Sequence, residues 1–342
     1  MVNMWECHFD VSIWGTLFRT ISRGQELAFC PPKLSLEGRE IAGVYRLGCY
    51  GFAPPSQTIL TLRTAPNQNP SDPYPSGIAS KRATLDVIAR VTTNGQPKAG
   101  VSVNFGVSVE PQTGGHEHHD VNRPKGSLSA VQGTTDANGE VKLTFTAPEV
   151  AGIHTVKATC ATCSNSPAVK EIKVKVPDLI QIPADTQTPP RYVLVGQRSE
   201  HRKSHFVTEA GLDVLNQVIR AFARLGWGQV GINDASLEWG GMFDIEGKWL
   251  KPYMNNKGKW VTGGHAEHRN GEQVDISFAR PASVSMQLRK KAYREVCNNN
   301  RTSLSPDILW HENDGYAPHF HIYLTGKAGA PAAGKNNQCT EK

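Results

Sequence analysis

The chain has 342 residues, enough for about two domains that each bury a core. Hydrophobic residues are 38% and charged residues 20%, and Gly 32 with Pro 22 makes the chain turn-rich without making it low in complexity. No run approaches the roughly 18 apolar residues of a membrane helix, so no integral membrane segment is expected; a net charge of +6 is too mild and dispersed to argue for nucleic acid.

Residues 1–77 show no sustained period and form an N-terminal segment of uncertain structure. Within it, Ile59-Leu60-Thr61-Leu62 is a short strand candidate, and Ala65–Gly77 reads as a linker. Met1–Asp10 has no Lys or Arg and Val11–Phe18 is short and interrupted, so no clear signal peptide is legible. Export by another route, a different start and retention inside the cell all stay open.

Residues 78–177 change to short alternating segments separated by turns. Thr84–Val91, Val101–Phe105, Val141–Phe145, His154–Ala158 and Glu171–Val176 each alternate apolar and polar residues. Such segments predict an antiparallel β-sandwich. The string TTDANGEVKLTFTAPEVAGIHTVKAT resembles bacterial immunoglobulin-like domains of the invasin kind. Seven cysteines leave one over in any full pairing, and Cys160-x-x-Cys163 reads as a local disulfide or two free thiols rather than a zinc site. The cluster His116-Glu117-His118-His119-Asp120, followed by Arg123, lies in a loop longer than a hairpin needs. It reads as a solvated polar loop, with metal binding as the alternative.

Residues 178–190 form a second Pro-rich linker. Residues 191–326 then mix helix and strand. Thr208 is a candidate N-cap, and Leu212, Leu215, Val218, Ile219, Phe222 and Leu225 recur at helical spacing up to Gly226. Tyr192–Val195, Gln229–Ile232, Val274–Phe278 and Phe320–Leu324 read as strands, and Ser283–Val296 as a second helix. Residues 327–342 read as a disordered tail.

Two histidine groups in this region carry the chemistry. In a strand, His319 and His321 project from one face, about 6.5 Å apart, while Phe320, Ile322 and Leu324 face the core. Asp275 lies on the opposite face of its strand from Val274 and Ile276, and a carboxylate among apolar neighbours is costly unless paired or metal-bound. His268 reaches it from the preceding loop. Two histidines, one carboxylate and an open position suit catalytic zinc. A non-haem iron triad uses the same ligands, and spacing does not exclude it. Asp234 orients a ligand histidine or caps a turn; His311 flanks the site or lies on the surface; Trp239, Trp249 and Trp260 read as core.

His268-x6-Asp275 followed by His319-x-His321 resembles the LAS metallopeptidases, and GGHAEHRNGEQVDI with PHFHIYL is most similar to penicillin-insensitive murein endopeptidases and D-Ala-D-Ala carboxypeptidases. The resemblance implies zinc ligands His268, Asp275 and His321, a general-base or oxyanion role for His319, and a supporting role for His265. It implies an immunoglobulin-like sandwich followed by an α+β peptidase domain with a central antiparallel sheet. The activity implied is zinc-dependent hydrolysis of peptide amides in bacterial peptidoglycan, in the periplasm or outside the cell. The alternative from another class is a non-catalytic binding or adhesion protein that uses the sandwich and holds a structural metal.

Overall fold

A computed structural model describes residues 56–66, 72–118, 123–224, 229–244, 267–278 and 319–324, with short backbone strands at 253–254, 260–261, 264–265 and 307–311. The expected helix at 283–296 and tail at 327–342 lie outside the described residues, as do residues 1–55.

The sandwich is built from β1 (Thr58–Thr64), β2 (Thr84–Thr93), β3 (Gln96–Pro97), β4 (Ser102–Val109), β5 (Ser127–Leu128), β6 (Gln132–Thr134), β7 (Glu140–Thr146), β8 (Gly152–Thr159) and β9 (Ala168–Val174). One sheet has the order β1-β2-β7-β5, with β3 on β2; the other has β6-β4-β8-β9. Period-two patterning decides which side chains face inward. On β2, Leu85, Val87, Ala89 and Val91 are buried; on β7, Val141, Leu143 and Phe145 are buried. They pack against Val103, Phe105, Val156, Ala158 and Ile172 of the facing sheet. The turn into β7 is closed by Asp136, whose Oδ1 accepts from the amides of Asn138 and Glu140, both at 2.9 Å.

At the β8–β9 end, Cys160 and Cys163 form a disulfide, the first of the two sequence readings. Both plug the end of the core. Asn165 next to them accepts from the Leu60 amide and donates to the Leu60 carbonyl, each at 2.8 Å. This clips the turn of one sheet onto β1 of the other. The sandwich therefore starts at Thr58, inside the segment read as structurally uncertain, because β1 pairs with β2 over seven residues from Thr58↔Thr93 to Thr64↔Val87.

The chain continues through β10 (Leu179–Gln181), β11 (Tyr192–Leu194), β12 (Phe206–Thr208), α1 (Glu209–Arg224), β13 (Val230–Ile232), β14 (Phe243–Asp244), β15 (Tyr253–Met254), β16 (Trp260–Val261), β17 (Gly264–His265), β18 (Gln273–Phe278), β19 (Asp307–His311) and β20 (His319–Tyr323). The segment 178–190 is more than a linker: β10 pairs with β12, and Ile182 joins the core. Three residues of strand are too short to register as a sequence period.

The second sheet has the order β11-β13-β18-β20-β19. It corrects the expected antiparallel sheet, because β11 runs parallel to β13 while the other pairs are antiparallel. Parallel pairing needs a crossover, and α1 supplies it. Thr208 caps α1: its Oγ1 accepts from the Gly211 amide at 3.0 Å. Val214, Leu215, Val218, Ile219 and Phe222 form the buried stripe of α1, packed on Val230, Ile232, Val274, Ile276, Phe320 and Ile322. Their alternate neighbours, including Asp275 and His321, therefore face away from the helix.

Backbone bonds join the sandwich to this module. The Val176 amide donates to Trp239 O at 2.9 Å, and the Met242 amide to Glu149 O at 2.8 Å. Val150 and Met242 pack between them, and Arg269 pairs with Glu149 at 3.3 Å.

Candidate metal centre

Three of the expected residues come together on the sheet face away from α1. Asp275 on β18 and His321 on β20 are register partners. Their side chains meet, with His321 Nδ1 2.7 Å from Asp275 Oδ1. His268 arrives from the loop before β18, with Nε2 3.3 Å from Asp275 Oδ2. The donor atoms of all three lie within 4.8 Å of one another. His268, Asp275 and His321 are 0%, 2% and 1% exposed.

The loop that delivers His268 is held by a residue whose role was not legible in the sequence. Gln273 accepts from the His268 amide through Oε1 at 2.6 Å, and its carbonyl lies 3.2 Å from His268 Nδ1. A proton on Nδ1 donated to that carbonyl leaves Nε2 facing the carboxylate, the orientation a metal ligand needs. His268 has φ +63°, a left-handed backbone that side chains rarely adopt. Such strain persists only where surrounding contacts over-determine it. On the other side of His321, Glu267 Oε2 lies 3.5 Å from Nε2, and the Tyr323 hydroxyl donates to Glu267 Oε1 at 2.8 Å. Glu267 stands directly before His268 in chain order, a signal that was available.

Electrostatics tie the triad together. Burial alone would lower the His268 imidazole, but Asp275 beside it pushes it up to about 9. Burial alone would raise Asp275, but His268 and His321 hold it well below the usual carboxylate range. Burial raises the Asp234 carboxyl. Asp234 accepts from Asn233 Nδ2 at 2.8 Å, and its backbone carbonyl receives the Asp275 amide. It thus positions the β18 backbone, while Gln273 sets the histidine ring.

His319 is partly exposed, and its Nε2 lies 3.5 Å from Asp275 Oδ2. The backbone of His265 pairs with Phe243, and that of His311 with His319. Their side chains, like those of Trp249 and Trp260, lie outside the described residues. Trp239 is half-buried and gives its carbonyl to Val176. His116 and His118 do not form part of this triad; they meet His201 and Asp244. His119 and Asp120 lie outside the described residues. Two histidine nitrogens and a carboxylate suit a divalent cation such as zinc.

No family model matches the sequence, and no curated protein matches it. Solved structures do. The D00-D0 domain of intimin is 17% identical with TM-score 0.25, covering 34% of this chain and 47% of that one. The Yersinia pseudotuberculosis adhesin InvE is 12% identical with TM-score 0.32, covering 60% and 66%. A C-terminal intimin fragment in complex with the translocated intimin receptor's intimin-binding domain is 16% identical with TM-score 0.20, covering 33% and 36%. The chain spans under half the length of the intimin fragments it matches.

These neighbours are adhesin-type immunoglobulin-like domains, and no peptidase family is indicated. The expected LAS-type metallopeptidase is corrected on that finding. With it go the hydrolase activity and the peptidoglycan substrate. The immunoglobulin-like sandwich stands; the module after it is a mixed sheet with, among the described residues, one helix. No helix among the described residues is long and apolar enough to cross a membrane.

Proposed function

We propose that this chain is a non-catalytic binding or adhesion protein of an extracytoplasmic surface, in which the sandwich carries the partner-binding surface and a structural zinc ion steadies the sheet behind it. His268, Asp275 and His321 would hold the ion, which supplies cross-linking of a loop and two strands and no reaction. The observation that carries this reading is the burial of the three ligand residues, at 0%, 2% and 1% exposure.

The Cys160–Cys163 disulfide supports an oxidising compartment. The sandwich leaves Val131 and Val169 76% and 62% exposed, next to β6 and on β9, the two edges of one sheet. Isolated exposed valines are ordinary, but at the edge strands of a sheet they offer apolar contact to a partner. The intimin fragment is recorded with a protein receptor domain, and a protein is the partner class proposed here.

The test is titration of labelled full chain onto intact cells, before and after protease treatment of the cell surface. Saturable binding, lost on protease treatment and weakened by Val131→Glu or Val169→Glu, is expected. Absence of saturable binding on any cell type tried, or binding unchanged by the protease, overturns the reading. A zinc-dependent gain in melting temperature tests the metal role, and no gain would overturn it.

A further inference from the structure

The second group of histidines converges on one buried carboxylate. His116 and His118 come from the loop after β4, His201 from the segment between β11 and β12, and Asp244 from β14. His201 Nε2, His118 Nε2 and His116 Nδ1 lie 3.1, 3.3 and 3.4 Å from Asp244 Oδ1. His201 Nε2 and His116 Nδ1 are 3.3 Å apart. The three rings stand edge to face, with centroids 5.6, 5.2 and 5.4 Å apart.

Hydrogen bonding accounts poorly for this convergence. Three imidazole nitrogens crowd a single carboxylate oxygen, and two of them also face each other. At 3.3 Å one of the two must donate and the other accept, so both cannot also donate to Asp244. The four separations of 3.1–3.4 Å instead lie near the edge length of a coordination tetrahedron, and all four donor atoms are within 4.8 Å of one another. With zinc–nitrogen and zinc–oxygen bonds of about 2.0–2.1 Å, tetrahedral edges are about 3.3–3.4 Å.

The site is also built to stay. His116, His201 and Asp244 are 1%, 1% and 0% exposed. Asp244 Oδ2 has no hydrogen-bond partner among the described residues. Arg123 fixes the loop from beneath by donating to the carbonyls of Glu110, Pro111, Thr113 and Ala151. From above, the Glu117 amide donates to Glu200 O at 2.9 Å, and Glu117 Oε2 accepts from the Arg202 amide at 2.8 Å. Gly115, at φ +95°, lets the loop approach so closely that a Cβ would lie 3.0 Å from Leu237 Cβ.

We propose that His116, His118, His201 and Asp244 form a second zinc site, a closed tetrahedral centre that ties the sandwich to the module after it. Two ligands come from the sandwich loop and two from beyond it. Four protein ligands leave no position for water, so the site is structural. It stands independently of the triad at Asp275.

Elemental analysis of the zinc-loaded, desalted full chain tests it. Two zinc ions per chain are expected. His118→Gln is the variant of choice, because His118 is the most exposed ligand at 11% and the replacement stays polar. It should hold one ion, and Asp275→Asn should also hold one. A His118→Gln chain that retains two ions overturns the proposal. If the unaltered chain holds one ion, the variants decide: loss in Asp275→Asn alone overturns this site, and loss in His118→Gln alone overturns the triad and leaves this site standing. Should His118→Gln fail to fold by circular dichroism, cobalt loading of Asp275→Asn reports on this site alone. Intense tetrahedral visible bands support it, and their absence overturns it.

Discussion

Asp275 and His321 stand opposite each other on neighbouring antiparallel strands, 2.7 Å apart between Oδ1 and Nδ1. Both are buried, at 2% and 1% exposure, so this contact is a large share of the polar surroundings of each. Truncating one side of a buried pair costs about 3–5 kcal/mol, mostly by stranding the other. Asp275→Ala is expected to lower the zinc-free stability by that amount in urea denaturation, by shifting the midpoint while the slope holds.

Zinc bound as proposed would compete with protons at this centre. In the zinc-free chain His268 is raised to about 9, so its stabilisation is complete below its unfolded value, about 6.5, and is lost as pH rises through about 9. Asp275 is depressed, so its contribution is present above about pH 4 and is lost as pH falls through its lower native value. Zinc-free stability should therefore be greatest between about pH 4 and 6.5 as far as this pair decides it. Zinc needs His268 neutral, so the melting-temperature gain from zinc should grow from pH 6 to pH 8. Calorimetry at both pH values checks this; a gain that shrinks over the interval contradicts it.

Thr208→Ala removes the oxygen that caps α1 and strands the Gly211 amide. The expected loss is about 1 kcal/mol. Thr208→Ser, which keeps the oxygen, should restore most of it in the same denaturation experiment.

Gly271 lies between His268 and Asp275 at φ +76°. A Cβ there would overlap Leu179 and lie 2.9 Å from the Thr208 amide. The left-handed backbone alone costs a side chain roughly 1–2 kcal/mol. Gly271→Ala should exceed that figure in urea denaturation and also weaken zinc binding, because it displaces the loop carrying His268. Unchanged zinc affinity would show that the loop absorbs the clash.

The strands of the sandwich were legible because Val141, Leu143 and Phe145 alternate with Lys142 and Thr144. The stripe of α1 and its cap were legible for the same reason of local period. The triad was readable because alternation put Asp275 on one face of β18 and His321 on the corresponding face of β20. Its interpretation as a peptidase rested on motif likeness, which does not carry function by itself. The cluster around Asp244 was half legible: His116 and His118 stood out in one loop with metal binding as an alternative, but Asp244 is joined to His118 by folding over more than a hundred residues and no spacing rule covers that distance. The β10–β12 pair escaped because a strand of three residues has no period to detect.

The strand order of the second sheet also bears on how the chain is made. The sandwich has all its strands once β9 has emerged, but β20 inserts between β18 and β19, both of which precede it. Until residues 319–323 are available, Val274 and Ile276 lie on a strand with an open edge, and His268 and Asp275 lack His321. A nascent chain therefore carries a finished sandwich ahead of a half-sheet that presents backbone for mispairing. The final insertion removes that edge and brings His321 opposite Asp275 in one event, so closing the sheet and assembling the triad are a single step.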